Sequence, residues 1–202
     1  MKKNKELFNL TLTAAFIAII AVMCFTPLGY LKIGIIEITL LTIPVAAGAV
    51  LLGKGGGLIL GLAFGISSFI QCFGMSAFGA ALLSINPLLT AVVCIVPRIL
   101  VGFFSAWIFE ALSKTALHVR ISSAITFLSA SLINTVGFVG LLVILFGRTE
   151  YIAQLMQSVS ATNLLIFAFL FAGVNSLVEA AASAVSGALL GKVLIRLKKS
   201  VR

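Results

Sequence analysis

Long apolar runs, separated by short polar segments, set the pattern of this chain. Six runs stand out, and each is near or above the roughly 20 residues that a helix needs to cross a bilayer. The second and third are short and rich in glycine, so we expect those helices to be tilted, broken or not fully spanning. The pattern predicts an all-α membrane protein, with six transmembrane helices in a single domain over residues 1–202. The predicted helices are Leu7–Thr26, Ile38–Leu52, Gly57–Phe73, Pro87–Leu112, Ser122–Phe146 and Asn163–Leu194.

The composition agrees with a membrane protein. Hydrophobic residues make up 61% of the chain and charged residues only 9%, whereas a soluble domain keeps roughly a quarter of its residues charged. The net charge of +9 does not indicate nucleic acid, because the basic residues flank apolar runs instead of forming a stripe on a soluble face. The cysteines Cys24, Cys72 and Cys94 lie in or beside apolar runs, which predicts buried thiols and not a disulfide framework.

The basic residues predict the orientation. Eleven lie on the side of the two termini and two on the opposite side, so both termini are expected to be cytoplasmic in a multi-pass protein of the cell membrane. The loops predicted on the outer side are longer than those inside, and long loops on a compact membrane protein often cover a binding site. The predicted outer loops are Pro27–Glu37, Gly74–Asn86 and Gly147–Thr162.

Arg98 is the most informative residue, because it interrupts an apolar run at membrane depth, where a charge costs several kcal/mol. Asn134 and Asn175 are predicted at a similar depth, about 12 residues or roughly 18 Å from the outer helix ends. Glu179 follows Asn175 by four residues and so shares its helix face. Two interpretations remain open. Arg98 clamps a carboxylate or phosphate in an outward-facing pocket, or Arg98 and Glu179 form a buried ion pair that braces the bundle.

Enzyme chemistry has little support in the sequence. The chain contains one histidine, His118, no aspartate and no cluster of metal-ligating residues, so we expect no catalytic site, no metal and no cofactor. The segment Gly48–Gly55 approaches a phosphate-binding loop, but Gly55 replaces the hydroxyl residue and the context is a membrane helix end. Any work driven by ATP would therefore need a partner.

Two further features have a structural and a functional interpretation. Tyr30, in the first outer loop, is placed either to contact a ligand or to anchor the chain at the membrane interface. Ala14 and Ala18 are four residues apart in the first helix, a spacing that lets another helix approach closely, either inside this chain or from a partner.

Several segments together resemble the substrate-binding (S) subunits of energy-coupling factor vitamin transporters, and the resemblance covers essentially the whole chain. It rests on loosely matching motifs. They are Ile38–Val45, Gly48, Gly53–Gly57, Gly61, Phe64–Gly65, Asn86–Pro87, Pro97–Gly102 and Ile133–Thr135.

The resemblance implies a subunit that captures a vitamin at the outer face and delivers it through a transmembrane coupling (T) subunit driven by two cytoplasmic ATPases. It identifies Ala14 and Ala18 with the family's A-x-x-x-A docking motif. Within the family the chain is most similar to the pantothenate-type binders, through Arg98 and Asn134 with the segments Pro27–Gly29 and Thr39–Pro44. Thr39 thereby joins Tyr30, Arg98, Asn134, Asn175 and Glu179 as a candidate substrate-binding residue.

The substrate and the class remain open at this point. Pyridoxine-, folate- and riboflavin-type specificities are alternatives to pantothenate. A self-sufficient secondary transporter, or a structural protein of the membrane braced by Arg98 and Glu179, is the alternative to a subunit that captures a vitamin.

Overall fold

The computed structural model describes residues 2–27, 29–33 and 36–200, without the side chains of 2–5, 31–33, 36–38, 174–175 and 198–200. Helices dominate this part of the chain, and one short hairpin of two strands interrupts them. The elements are α1 (Lys2–Cys24), β1 (Tyr30–Ile33), β2 (Ile36–Thr39), α2 (Thr42–Gln71), α3 (Ala77–Ile85), α4 (Pro87–Leu112), α5 (Val119–Phe146), α6 (Glu150–Ser158) and α7 (Leu164–Ser200).

Five of the described helices are long and apolar enough to cross a membrane, which confirms the predicted class of multi-pass, all-helical membrane protein. The predicted run Pro87–Leu112 coincides with α4. This helix begins sharply because the Asn86 side chain accepts a hydrogen bond from the backbone N–H of Leu89 at 3.0 Å and proline occupies the first turn.

The predicted second and third runs, apart from their outer ends, form the single helix α2, which is interrupted at Gly53. Gly53 has φ 76° and ψ −168°, outside the helical region and at a positive φ that favours glycine. A Cβ placed on Gly57 would lie 3.2 Å from the Cβ of Ala49, although eight residues of straight helix span about 12 Å. The two limbs of α2 therefore fold back on each other at Gly53.

The segment before α2 differs from the sequence prediction. Ile38 and Thr39, predicted as the start of the second helix, instead end β2, which pairs with β1 in an antiparallel hairpin with Tyr30 opposite Thr39. Ile36, Ile38 and Thr39 are β-branched, which favours a strand. The backbone N–H of Leu40 also donates to the carbonyl of Gly29 at 3.0 Å, so the hairpin is tied at its open end.

Three glycines, spaced four apart on α2, bring α4 into close contact. Gly57, Gly61 and Gly65 face the backbone of Gly102, Arg98 and Ile95 in turn. A Cβ on Gly61 would lie only 2.9 Å from the Cα of Ile99. Because this stripe has no side chains, the backbone of α4 packs closely against α2. This close contact fixes the position and rotation of α4, and with them the position of Arg98.

The last helix packs along α5 and is also interrupted. The predicted run Asn163–Leu194 corresponds to α7, which has non-helical backbone angles at Gly173 (φ 17°, ψ −130°). Beyond that point Gly187 and Gly191 lie against α5, where a Cβ on Gly191 would be 2.7 Å from the hydroxyl of Ser123.

The bundle has two unlike ends. We call the end with the segments 25–41, 72–86 and 147–163 the long-loop end, and the end with the Gly53 reversal and the segment 113–118 the short-loop end. The first limb of α2 is central, since every residue from Pro44 to Val50 is buried. A second apolar cluster, which includes Leu82, Phe146 and Ile152, closes the long-loop end.

Candidate functional site

Arg98 lies inside the bundle on α4, with only 6% of its surface exposed. The residue before it, Pro97, has no backbone N–H and leaves the carbonyl of Val93 without its helical partner. The Nη1 of Arg98 donates to that carbonyl at 3.0 Å. The proline thus creates an acceptor, and the arginine uses it to hold its side chain in place.

Two aromatic rings flank the guanidinium. Its Cζ lies 5.4 Å from the ring centroid of Phe64 on α2 and 4.8 Å from that of Phe138 on α5. Both distances lie within the range of cation–π attraction, which is stronger where water is excluded. The Nε of Arg98 is buried and has no hydrogen-bond partner among the described residues. Arg98 is therefore held in position while part of its hydrogen-bonding capacity stays unused.

Asn134 brings an acceptor to the same region. It is 5% exposed, and its Oδ1 is buried without a partner in the described part of the chain. Phe138 follows one turn later and so shares its face of α5. Gly137 packs on Pro97, because a Cβ there would be 3.1 Å from the proline Cβ. These contacts turn the Asn134 face of α5 towards α4 and Arg98.

The hairpin adds two more polar groups. Tyr30 and Thr39 are paired across β1 and β2, which directs their side chains to one face. The hydroxyls of both residues are buried and make no hydrogen bond of normal geometry with the described residues, although Ser68 and Cys24 lie near that of Tyr30. Burial raises the pKa of Tyr30 above its ordinary value, while the nearby charge of Arg98 opposes that shift. Tyr30 therefore stays neutral and remains able to donate.

Glu179 has a role that the sequence did not indicate. Its Oε1 accepts a hydrogen bond from the backbone N–H of Thr39 at 2.7 Å, and the residue is 5% exposed. One helical turn further on, the hydroxyl of Ser183 lies 3.4 Å from that of Thr42. In the described structure Glu179 and Arg98 interact electrostatically but form no ion pair within 4.0 Å. Glu179 instead fastens the hairpin to α7.

The remaining predicted residues fall outside this cluster. Asn175 lies in α7, but its side chain is outside the described residues. Ala14 and Ala18 are both exposed on α1, whereas Ile20 and Cys24 are buried against the bundle. The small-residue pair is therefore on the outer surface of the bundle and does not serve internal packing.

Sequence reasoning missed Phe138, Tyr151 and Phe171, three of the four rings of an aromatic cluster beside the candidate site. Phe78 of α3 lies 6.3 Å from Phe138, 6.0 Å from Tyr151 and 5.4 Å from Phe171, measured between ring centroids. This aromatic cluster, Phe78, Phe138, Tyr151 and Phe171, joins the short helices α3 and α6 to α5 and α7 above Arg98. The one available signal was the spacing of Phe138 four residues after Asn134.

The long apolar helices and the buried arginine define a multi-pass membrane protein with a cationic site inside its helical bundle. The sequence model of the family described as ECF transporter, substrate-specific component, matches residues 8–190, and the chain belongs to that family. No curated protein matches the chain significantly. Membership makes the chain a transporter subunit and not an enzyme, and it implies partnership with the T and ATPase modules of such a transporter.

Proposed function

We propose that this chain captures a small carboxylate vitamin, with pantothenate as the best candidate, and delivers it through an ATP-driven partner module. The observation that carries the proposal is the unused hydrogen-bonding capacity of a buried arginine. A guanidinium with a free Nε–H suits a carboxylate, because the two planar groups form paired, charge-assisted hydrogen bonds.

The other polar groups suit the rest of such a ligand. Asn134 Oδ1 accepts from a hydroxyl or amide N–H, and the Tyr30 hydroxyl donates to a carbonyl. Pantothenate carries one carboxylate, one amide and two hydroxyls on a small frame, and so uses each of these groups. Thr39 provides a further hydroxyl, and Glu179 positions the hairpin that carries Tyr30 and Thr39. Asn175 is retained as a proposed contact from its place on α7.

The proposed arrangement in the membrane follows from the loops and the charges. The reversal at Gly53 divides α2 into two limbs, which supports six crossings in a single domain over residues 1–202. We place both termini in the cytoplasm, the protein in the cell membrane and the long-loop end outside, because basic residues are concentrated at the short-loop end and the termini.

The partners are a T subunit and two cytoplasmic ATPases. Exposure of Ala14 and Ala18 supports α1 as the face that meets the T subunit, since small exposed residues allow a partner helix to approach its backbone. The substrate alternatives are pyridoxine, folate and riboflavin.

Calorimetric titration of the purified chain with pantothenate, then pyridoxine, folate and riboflavin, tests the proposal. We expect tight binding of pantothenate that Arg98→Ala weakens at least about 30-fold, since removing one partner of a buried charge pair costs about 2–5 kcal/mol. Arg98→Lys keeps the charge but not the planar fork, so it is expected to be intermediate.

The matched control is Arg120→Ala, which removes an exposed arginine near the short-loop end and is expected to bind as the unmodified chain does. Thermal unfolding of each variant separates lost binding from lost folding. Unchanged binding by a folded Arg98→Ala variant would refute the site. Tight binding of another vitamin that depends on Arg98 would keep the site and replace the substrate.

A further inference from the structure

Two of the cysteines form a pair of thiols beside the site. The Sγ atoms of Cys72 and Cys94 are 3.8 Å apart, and each residue is 4% exposed. Cys72 is the first residue after α2, and Cys94 lies on α4, one helical turn before Arg98. Cys24 is also a buried free thiol but has no sulfur contact with either residue in the described structure. The pair belongs neither to the proposed ligand contacts nor to the partner-docking face.

We propose that Cys72 and Cys94 are a redox modification site that a small peroxide oxidises to an intramolecular disulfide, leaving Cys24 reduced. One thiolate attacks hydrogen peroxide, which gives a sulfenic acid and releases hydroxide. The second thiol attacks that sulfur, which forms the S–S bond and releases water. Overall, two thiols and one peroxide give one disulfide and two waters, and two electrons pass from the sulfurs to the peroxide. A peroxide suits the site because it is uncharged and small enough to reach a nearly buried pair.

The geometry requires only a small movement. A disulfide needs its sulfurs about 2.05 Å apart, and the two thiols already lie in contact on neighbouring helices. The Sγ of Cys72 also lies 3.6 Å from the carbonyl of Ser68, one turn earlier, so this thiol points back along α2. We expect rotation of the two side chains to close the remaining distance.

The disulfide would restrain helix α3, which packs over the candidate site. Helix α3 packs directly on Cys72, because a Cβ on Gly79 would be 2.7 Å from the Cys72 Sγ. Phe78 of the same helix contacts Phe138, whose ring lies against Arg98. A disulfide from Cys72 to Cys94 would therefore tie the end of α2, with α3 on top of it, to α4 next to Arg98. We expect this tie to slow the entry of ligand.

Counting thiols under denaturing conditions with a maleimide tests the modification and needs no ligand. In the full chain, peroxide is expected to lower the count from the three cysteines of the sequence to one, and dithiothreitol to restore it. Cys24→Ser should lose both of its thiols. Cys72→Ser and Cys94→Ser should keep both of their thiols under the same peroxide treatment. Two results would overturn the proposal. One is that peroxide removes as many free thiols from Cys94→Ser as from the unmodified chain, and the other is that Cys24→Ser keeps both of its thiols after peroxide treatment.

The effect on binding rests on the proposed function and is measured separately. We expect oxidation to slow pantothenate association several-fold in the unmodified chain and in Cys24→Ser, with no effect on Cys72→Ser. An unchanged association rate in an oxidised Cys24→Ser sample would overturn the role as a tie. If pantothenate fails to bind even the reduced chain, the thiol counts still decide whether the pair is oxidised, and only the proposed substrate fails.

Discussion

Pro97 and Arg98 together show how a charge is accommodated at membrane depth. The proline withdraws one helical hydrogen bond, and the arginine side chain restores a partner to the orphaned carbonyl of Val93. Phe64 and Phe138 then face the cation with their π-systems instead of aliphatic groups. These contacts stabilise the buried guanidinium, and its Nε–H has no partner among the described residues.

Asn134 offers a prediction at this scale. Its Oδ1 has no partner among the described residues, which costs about 1–3 kcal/mol, and a hydrogen bond from a ligand would offset that cost. We expect Asn134→Leu to raise the midpoint of thermal unfolding and to weaken pantothenate binding about tenfold. Differential scanning calorimetry of the protein without ligand checks the rise in the unfolding midpoint, and titration calorimetry with pantothenate checks the loss of affinity. A variant that loses stability and keeps full affinity would show that Asn134 braces the helix and does not touch the ligand.

Sequence reasoning identified the polar residues of the candidate site, but not the aromatic residues that flank Arg98. Arg98 and Asn134 stand out because polar side chains are rare and costly in apolar helices. Phe64 and Phe138 do not, since the chain has 16 phenylalanines and most positions at this depth are apolar. The bond of Glu179 could not be predicted either, because its donor is a backbone N–H located 140 residues earlier in the chain.

At the scale of elements, the glycine stripe of α2 sets where α4 lies. The apolar runs predicted the long helices, because burial in a bilayer requires length and hydrophobicity, which a sequence displays directly. The hairpin β1–β2 was missed because most of it lies in the predicted loop Pro27–Glu37, while Ile38 and Thr39 continue into the apolar run of α2. Strand pairing depends on a partner segment that hydropathy does not reveal.

Gly61 tests the role of the stripe. Gly61→Ala puts a methyl group within 3.0 Å of the backbone carbonyl carbon of Arg98, and overpacking of this kind typically costs about 1–3 kcal/mol. We expect a lower midpoint of thermal unfolding and weaker pantothenate binding. Gly55→Ala is the matched control, because a Cβ there meets nothing within 4 Å. Equal behaviour of the two variants would mean that α4 is positioned by other contacts.

The exposed alanines of α1 give a second prediction for an element. We expect Ala14→Trp and Ala18→Trp to abolish vitamin uptake by the assembled transporter, since a bulky side chain holds a partner helix away, while binding by the isolated chain is unchanged. Ala181→Trp is the control, because Ala181 is also exposed but lies on α7. Uptake assays in cells beside calorimetry on the purified variants compare the two properties. Normal uptake by both α1 variants would remove α1 from the docking face.

At the scale of the whole molecule, the two ends of the bundle differ in structure and charge. The long-loop end carries the hairpin, α3, α6 and the aromatic cluster around the site, whereas the short-loop end has tight connections and basic residues. The composition predicted this asymmetry through loop length and charge. The single-domain organisation remains a prediction.

Transport by the assembled complex is the prediction that belongs to this scale. We expect vesicles that contain this chain alone to bind pantothenate without accumulating it. Vesicles that also contain the T subunit and the ATPases should accumulate it when ATP is supplied, and a non-hydrolysable ATP analogue is the control. Accumulation by the chain alone would favour a self-sufficient secondary transporter.

The hydrogen bond between Glu179 and Thr39 has a consequence for the synthesis and folding of the protein. Thr39 is only 6% exposed, and a buried backbone N–H that is left without a partner costs about 1–3 kcal/mol. A ribosome makes the hairpin early, but the carboxylate that satisfies Thr39 emerges 140 residues later. We therefore expect the first loop to reach its final place only after the last helix has been inserted. A nascent chain that stops before α7 contains Val93, Phe64 and Phe138, which contact Arg98, but lacks the carboxylate that holds the hairpin.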